Sequence, residues 1–249
     1  MTASADTSTA RASRVVLVAG ATGSAADAAS IGRALATAFA RRGWDVALQS
    51  GRDAPRAALE AIVAEVEALG RRETVLDADL SLETEAAGLV AACGAALGRP
   101  ACVVFQSAPA GADDAHAVSD ASLAAALARN VTAPLVLARA LADATPDAAR
   151  TDESLRACAI HVLDSALFHP APEPLSHALM QAALNRATSA LALALAPKVR
   201  VAGLVRGRAP HADDIAAAAC YLADAPGITG ATLTVDGGEH LVPPAAGPN

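Results

Sequence analysis

The chain has 249 residues, of which 53% are hydrophobic and only 2% aromatic, and its formal net charge is −7. Such a chain can bury a full core as one domain, while its scattered arginines and scarce aromatic residues exclude the basic surface and stacking platform of a nucleic-acid-binding protein. Mean hydropathy is +0.36, but apolar runs such as 86–97 are too short to span a bilayer, so we expect no membrane partner.

Predicted strands and helices alternate along the whole chain. Strands are expected at 14–20, 44–49, 74–76, 101–105, 157–163, 199–205 and 231–235, and helices at 31–42, 54–69, 83–97, 121–144, 175–195 and 213–222. This alternation is typical of a parallel sheet with helical crossovers. The sequence therefore predicts an α/β fold: a single Rossmann-type, doubly wound, seven-stranded parallel sheet in three layers. It would span 14–242, between disordered tails at 1–13 and 243–249.

No signal for a metal site or for export is found in the sequence. The cysteines form no C-x-x-C unit and the histidines no H-x-x-x-H helix pair, the spacings that metal ligands commonly use. The N-terminal segment 1–13 lacks the apolar stretch of a secretory signal. We therefore expect no bound metal and a cytoplasmic location.

Four segments resemble motifs of the short-chain dehydrogenase/reductases. The segment 228–238 is similar to the family's closing strand and turn, and Asp79-Leu80-Ser81 to its adenine-side turn. Asn130 matches the family's active-site-helix asparagine, and 198–203 matches the strand before its Pro-Gly turn. The order and spacing of these segments, rather than any one of them, carry the resemblance.

Two further residues resemble the pteridine-reductase-like branch of that family. Asp164 stands thirteen residues before His177, where most members have serine, and Arg52 follows the second strand. The aromatic residue on which a pterin would stack has no match in 110–116. The resemblance therefore suggests a branch but assigns no substrate.

The family's catalytic Tyr-x-x-x-Lys pair is missing. The only tyrosine is Tyr221 and the only lysine is Lys198, and they stand in the wrong order. The matching positions hold His177 and Gln181. In the family the tyrosine transfers a proton, while the lysine lowers its pKa and holds the nicotinamide ribose. The resemblance thus implies a degenerate catalytic site of Asp164, His177, Gln181 and Asn130.

Two interpretations of that site stay open. Histidine has an ordinary pKa of about 6.5, and a neighbouring carboxylate such as Asp164 favours its charged form, so His177 could act as a general acid. Gln181 could donate a hydrogen bond to a ribose but supplies no charge. Alternatively these residues have drifted in a pocket that no longer has a catalytic role, which agrees better with the other departures from the family.

The resemblance places the cofactor-binding residues at Gly20, Gly23, Ser30, Gly32, Arg52, Asp79, Leu80 and Ala108. Ser30 replaces the middle glycine of the glycine-rich turn, and the extra residues 24–29 lengthen the loop. That loop is either a looser phosphate cradle or a surface loop. Pro109, next to Ala108, lacks a backbone donor. Arg52 either pairs with a 2′-phosphate or is solvated, so NADP is the expected cofactor, and its binding stays open.

The substrate side departs from the family as well. Only 206–212 connects the sixth strand to the next helix, where the family has a long segment that covers the nicotinamide. The sequence therefore favours a catalytically impaired homologue acting as an oligomer subunit or as the partner of an active family member. Helices 121–144 and 175–195, rich in Ala and Leu, would form the interface or simply pack internally.

Two other functions remain as alternatives at this stage. The first is an atypical NADP(H)-dependent reductase that uses His177 as its acid. The second is a protein that binds and senses a dinucleotide without turnover. Loss of activity on replacement of His177 would distinguish the first from the second.

Overall fold

The structure is a computed structural model that describes residues 13–20, 26–52, 54–108, 111–169, 174–208 and 211–242. The predicted tails, except for Ser13, lie outside the described residues, as do Gly23 and Pro109.

Seven parallel strands form one sheet in the order β3-β2-β1-β4-β5-β6-β7. They are β1 Val15–Ala19, β2 Asp45–Ser50, β3 Glu73–Asp77, β4 Pro100–Gln106, β5 Ala157–Asp164, β6 Val199–Arg206 and β7 Thr232–Val235. The predicted doubly wound sheet is confirmed. Its strand order reverses between β1 and β4, where ligand crevices open at the carboxyl edge of such sheets.

Seven α-helices cover both faces of the sheet in the described part of the chain. They are α1 Ala26–Arg41, α2 Arg56–Ala68, α3 Glu83–Ala96, α4 Asp120–Leu127, α5 Ala133–Ala144, α6 Leu175–Leu195 and α7 Ala212–Asp224. Helices α1, α2 and α7 pack on one face, and α3, α5 and α6 on the other. The central strands are buried on both sides, which explains why they are continuous runs of Val, Leu, Ile and Ala.

Helix 121–144 of the sequence prediction is two helices in the structure. The turn Ala128–Thr132 is π-helical and separates α4 from α5. Pro134, in the first turn of α5, has no N–H to donate to the carbonyl of Asn130 one turn earlier. A π turn is one way to accommodate that missing bond, and such turns are frequent at functional sites.

By length and composition alone, the combined segment Asp120–Ala144 could cross a membrane. In the fold its α5 half buries Val136, Leu137 and Leu141 against the sheet. The α5 half is therefore a core helix here.

Helix α1 begins at Ala26, five residues earlier than the predicted start at 31. The extra residues of the glycine-rich region are therefore partly helical, and the prediction that all of them lengthen a loop is wrong. Ala is the strongest helix former, and the segment 25–29 is rich in it, which explains the extension.

Candidate functional site

Asp164 and His177 form a close pair at the carboxyl edge of the sheet. Asp164 is the last residue of β5, and its Oδ1 accepts a hydrogen bond from the Ala166 backbone N–H at 2.9 Å. Its Oδ2 lies 2.6 Å from Nε2 of His177, the third residue of α6. The side chains are 13% and 4% exposed, respectively, so the pair is largely withdrawn from solvent.

The charge state of this pair follows from its surroundings. Burial by itself would raise the pKa of Asp164. The hydrogen bond and charge of His177, the Ala166 N–H and the Arg206 guanidinium outweigh burial and hold the pKa below its usual range. Asp164 is therefore a carboxylate near neutral pH and accepts a hydrogen bond from the N–H at His177 Nε2. His177 Nδ1 is buried without a hydrogen-bond partner in the described structure.

Gln181 lies one helical turn beyond His177 and ties the pair to two strands. Its Oε1 accepts from the Asp164 backbone N–H at 3.2 Å, and its Nε2 donates to Ser107 Oγ at 2.8 Å. The same Nε2 lies 3.1 Å from His177 Nε2. Ser107 Oγ in turn donates to the Val162 carbonyl at 3.1 Å. We call Ser107, Asp164, His177 and Gln181 the polar cluster.

Asn130 stands beside the polar cluster rather than within it. Its side chain is fully buried in the π turn, and its Oδ1 accepts from the Ala108 backbone N–H at 3.0 Å. No hydrogen bond joins Asn130 to His177 in the described part of the chain. Its Nδ2 is buried without a partner there. Asn130 thus positions the segment after β4, which carries Ser107.

Gly20 keeps the geometry of a tight turn at the end of β1. Its φ is +81°, and an added Cβ would overlap the carbonyl oxygen of Gln106. Its N–H, however, already donates to Oε1 of Gln49 at 2.8 Å, and Gln49 Nε2 donates to the Ala78 carbonyl at 2.8 Å. A backbone donor of the glycine-rich turn is therefore engaged within the protein.

Ser30 and Gly32 lie inside α1 and not in the turn that precedes it. Ser30 is exposed and Gly32 is buried. The placement of Ser30 at the centre of a phosphate-binding turn is wrong, because α1 begins one turn before it. The free N–H groups of a helix belong to its first turn, which here starts at Ala26.

The other predicted cofactor residues meet at the carboxyl ends of β2 and β3. Asp79 Oδ1 accepts from the Ser81 hydroxyl and backbone N–H, which lower the pKa of Asp79. Glu85 joins this turn to Arg52, since one of its oxygens accepts from the Asp79 N–H at 2.6 Å and the other from Arg52 at 2.7 Å. Leu80 is half-buried.

A cavity of about 520 Å³ opens beside this turn and is lined by Arg52, Arg56 and Asp77 among others. Its charged lining is two arginines and two carboxylates, the second of which is Glu60, and the arginines are the groups that would pair with the 2′-phosphate of NADP. The nicotinamide end of NADP does not fit, because the amide that replaces the ribose-binding lysine is bonded to Asp164 and Ser107.

A family model described as Enoyl-(Acyl carrier protein) reductase matches residues 25–207. The chain belongs to the short-chain dehydrogenase/reductase (SDR) family. Among curated proteins, none matches this SDR sequence. The predicted family is therefore confirmed by the family model and by solved structures.

Two similar structures are FolM alternative dihydrofolate reductase 1 from Brucella canis and from Brucella suis, each in complex with NADP. Both are 26% identical to this SDR. The first has a TM-score of 0.80 and covers 93% of this chain and 96% of its own. The second has a TM-score of 0.79, covering 92% and 96%. These matches agree with the predicted pteridine-reductase-like branch.

Acetoin dehydrogenase from Enterobacter cloacae, which is 20% identical, shares the fold at a TM-score of 0.81. The alignment covers 96% of this SDR and the whole of that chain. At this identity the match bears on the fold alone.

Sequence reasoning missed three side chains that are hydrogen-bonded to the candidate site residues: Ser107, Gln49 and Glu85. Ser107 follows β4 directly, as Asp164 ends β5, and neighbouring parallel strands place their carboxyl ends together. The parallel pairing of β4 with β5 could therefore have predicted that Ser107 lies near Asp164. For Gln49 and Glu85, whose amide and carboxylate reach across loops, no local pattern indicated the partner.

Proposed function

We propose that this SDR is a catalytically impaired member of its family that serves as an oligomer subunit, alone or beside an active family member. The observation that carries the proposal is the state of the two replaced catalytic positions. His177 and Gln181 are both buried, and both are bonded to Asp164 or Ser107 of the polar cluster.

Proton transfer requires an atom that both carries a proton and reaches the substrate. His177 Nε2 carries its proton toward Asp164, and Nδ1 is enclosed in the protein. Gln181 has no charge with which to shift a neighbouring pKa or to hold a ribose as lysine does. The cluster therefore works as an internal polar network in which each side chain has a hydrogen-bonded partner, while His177 Nδ1 has none in the described structure.

The short connection after β6 supports the same proposal. Gly207 lies close to the C-terminal turn, since a Cβ there would be 2.8 Å from Glu239 Oε2 and 3.2 Å from Asp236 Cα. The next residue, Arg208, donates its backbone N–H to that oxygen at 2.8 Å and pairs through its guanidinium with the same carboxylate. The described start of this connection, Gly207 and Arg208, is therefore fastened to the C-terminal turn.

The oligomer part of the proposal rests on the outer face of α6 and the end of α4. Leu179 and Leu193 of α6 are 48% and 84% exposed, and Leu127 of α4 is 46% exposed. They stand among exposed alanines, which permit close approach of another helix. The expected partner is a second copy or an active SDR chain. We expect the assembly to be cytoplasmic and without nucleic acid or membrane.

Native mass spectrometry of the tagged chain, recovered from an extract of its own host, tests this role. We expect an oligomer, with or without a second SDR chain, and no retained dinucleotide on this subunit. The Leu193→Glu variant should dissociate the oligomer. Its matched control, Leu241→Glu, changes an exposed leucine outside α4 and α6 and should leave the oligomer intact. A monomeric wild-type chain would contradict the proposal.

A second function is favoured by one specific observation, the 2.6 Å contact between Asp164 and His177. A carboxylate that fixes the tautomer and orientation of an imidazole is the arrangement that histidine acid–base catalysis uses. Together with the adenosine-side cavity and the NADP complexes of the two Brucella proteins, it supports an atypical NADP(H)-dependent reductase. This alternative requires cofactor binding and turnover that depends on His177.

A further inference from the structure

Arginines stand at the start of five strands. Arg14, Arg72, Arg99 and Arg156 directly precede β1, β3, β4 and β5, and Arg200 is the second residue of β6. The amino ends of parallel strands share one edge of a sheet. Five arginines that are far apart in the sequence therefore meet at the edge opposite the polar cluster.

These five arginines line one cavity of about 790 Å³. Glu153 and Asp224 are the acidic residues in its lining, so the described wall has an excess of three positive charges. The chain as a whole has a net charge of −7. A concave, low-dielectric wall of one sign focuses the field and concentrates counter-ions. The volume lies within the range of small-molecule sites.

Four of the arginines have partners that account for their charge. Arg14 pairs with Asp224 at 2.7 Å, Arg72 with Asp45 at 2.6 Å and Arg156 with Glu153 at 2.8 Å. Arg200, which is 9% exposed, donates to the carbonyls of Leu222, Ala223 and Ile228. The first two are at the C-terminal end of α7, where the helix dipole is negative.

Neither Arg99 nor Arg200 pairs with a carboxylate of the described chain, but Arg99 has one carbonyl partner where Arg200 has three. The Arg99 guanidinium donates to Leu155 O at 3.2 Å and, more weakly, to Thr145 Oγ1 at 3.5 Å. Partial burial lowers its pKa. Two of its five N–H donors are used. A partly buried guanidinium without a counter-charge is unfavourable, so this arrangement indicates that an anion completes it.

We propose that the arginine-lined cavity binds a small multivalent anion, one that carries at least two phosphate or carboxylate groups, and that Arg99 holds it. The guanidinium fork matches both groups with paired hydrogen bonds. This site lies at the amino edge of the sheet and does not depend on the proposed function at the opposite edge. Its ligand would act there as an effector or as a structural ion.

Thermal unfolding with inorganic pyrophosphate or citrate, each against sodium chloride of equal ionic strength, tests the proposal. A ligand that binds only the folded chain raises the melting temperature with its concentration. We expect such a rise with at least one of the two anions, and which one responds distinguishes phosphate from carboxylate. The same rise in chloride, or none at all, would overturn the proposal.

Arg99→Gln should weaken that anion's affinity by at least about tenfold, since it removes a charged hydrogen-bond donor. Arg99→Lys, which keeps the charge but loses the fork, should have an intermediate effect. The control is Arg33→Gln, which removes one exposed arginine of α1 outside the cavity and should leave the affinity unchanged.

The five arginines could instead serve only to bond carboxylates and backbone carbonyls of the protein at this edge. In that case Arg99→Gln would lower the melting temperature in chloride and leave the anion-dependent rise unchanged, which would also overturn the proposal. If Arg99→Gln does not fold, Arg99→Lys provides the same comparison with the charge kept.

Discussion

Replacement of Asp164 by alanine is expected to lower the free energy of unfolding by about 3 kcal/mol. Three groups lose their acceptor or counter-charge: His177 Nε2, the Ala166 N–H and the Arg206 guanidinium, whose Nη2 lies 3.9 Å from the carboxylate. His177 is then left as a buried donor without a partner, which makes the loss larger than that of an ordinary hydrogen bond. Urea unfolding near neutral pH measures the change.

Asp147→Ala is the matched control for this prediction. Asp147 also forms an ion pair, since its Oδ1 lies 3.2 Å from Nζ of Lys198, but its side chain is 86% exposed. Exposed pairs contribute about 1 kcal/mol or less, so this change should be small. Residues held in place for catalysis commonly cost stability, and their removal stabilises the protein. An Asp164→Ala variant as stable as wild type would therefore show that the polar cluster is not a structural network.

A second large effect is expected on acidification, and it originates at His161 in the middle of β5. This ring is 1% exposed, and its Nδ1 lies 2.9 Å from Thr188 Oγ1. The Thr188 hydroxyl donates to the Leu184 carbonyl, so the ring nitrogen is the donor to Thr188. The other nitrogen, Nε2, is buried without a partner in the described structure. Burial lowers the pKa of His161 to about 4.

The sign of the pH dependence follows from that lowered pKa. In the unfolded chain the histidine titrates near pH 6.5. Between that pH and about 4, the unfolded chain therefore binds a proton that the folded chain does not. Stability must fall as the pH is lowered through this window, by about 3 kcal/mol in total. Above pH 6.5 the contribution of His161 is constant.

Denaturant unfolding across that pH window, in wild type and in His161→Leu, measures this contribution. The leucine variant should lose most of the acid-side slope, because the buried group that resists protonation is gone. His116→Leu, a change at an exposed histidine, should keep the wild-type slope. Equal slopes for wild type and His161→Leu would mean that His161 is protonated readily in the fold.

Much of the fold could be predicted because its signals are local. Each central strand is a short apolar run bounded by glycine or by a charged residue. Parallel strands end at one edge of the sheet, which brings Asp164 near the start of α6. His177 and Gln181 are four residues apart, so they share one face of that helix. The pairing of Asp164 with both residues follows from those two facts.

The rest depended on contacts that no local pattern encodes. The start of α1 at Ala26 was obscured by the comparison with a glycine-rich turn, although alanine favours helix. The side chain of Gln49 in β2 bonds to Gly20 and Ala78, each of which is 29 residues away in the sequence. The arginines looked scattered along the chain, and only the parallel sheet gathers five of them at one edge.

The central claim, that the SDR proton-transfer centre has become an internal network, is tested most directly by NADPH consumption. The purified chain is assayed with a panel of carbonyl, imine and pteridine compounds, beside His177→Gln, which keeps a donor to Asp164 but cannot act as an acid near neutral pH. We predict no substrate-dependent oxidation in either protein. Turnover by the wild-type chain that is lost in a folded His177→Gln variant would contradict the claim.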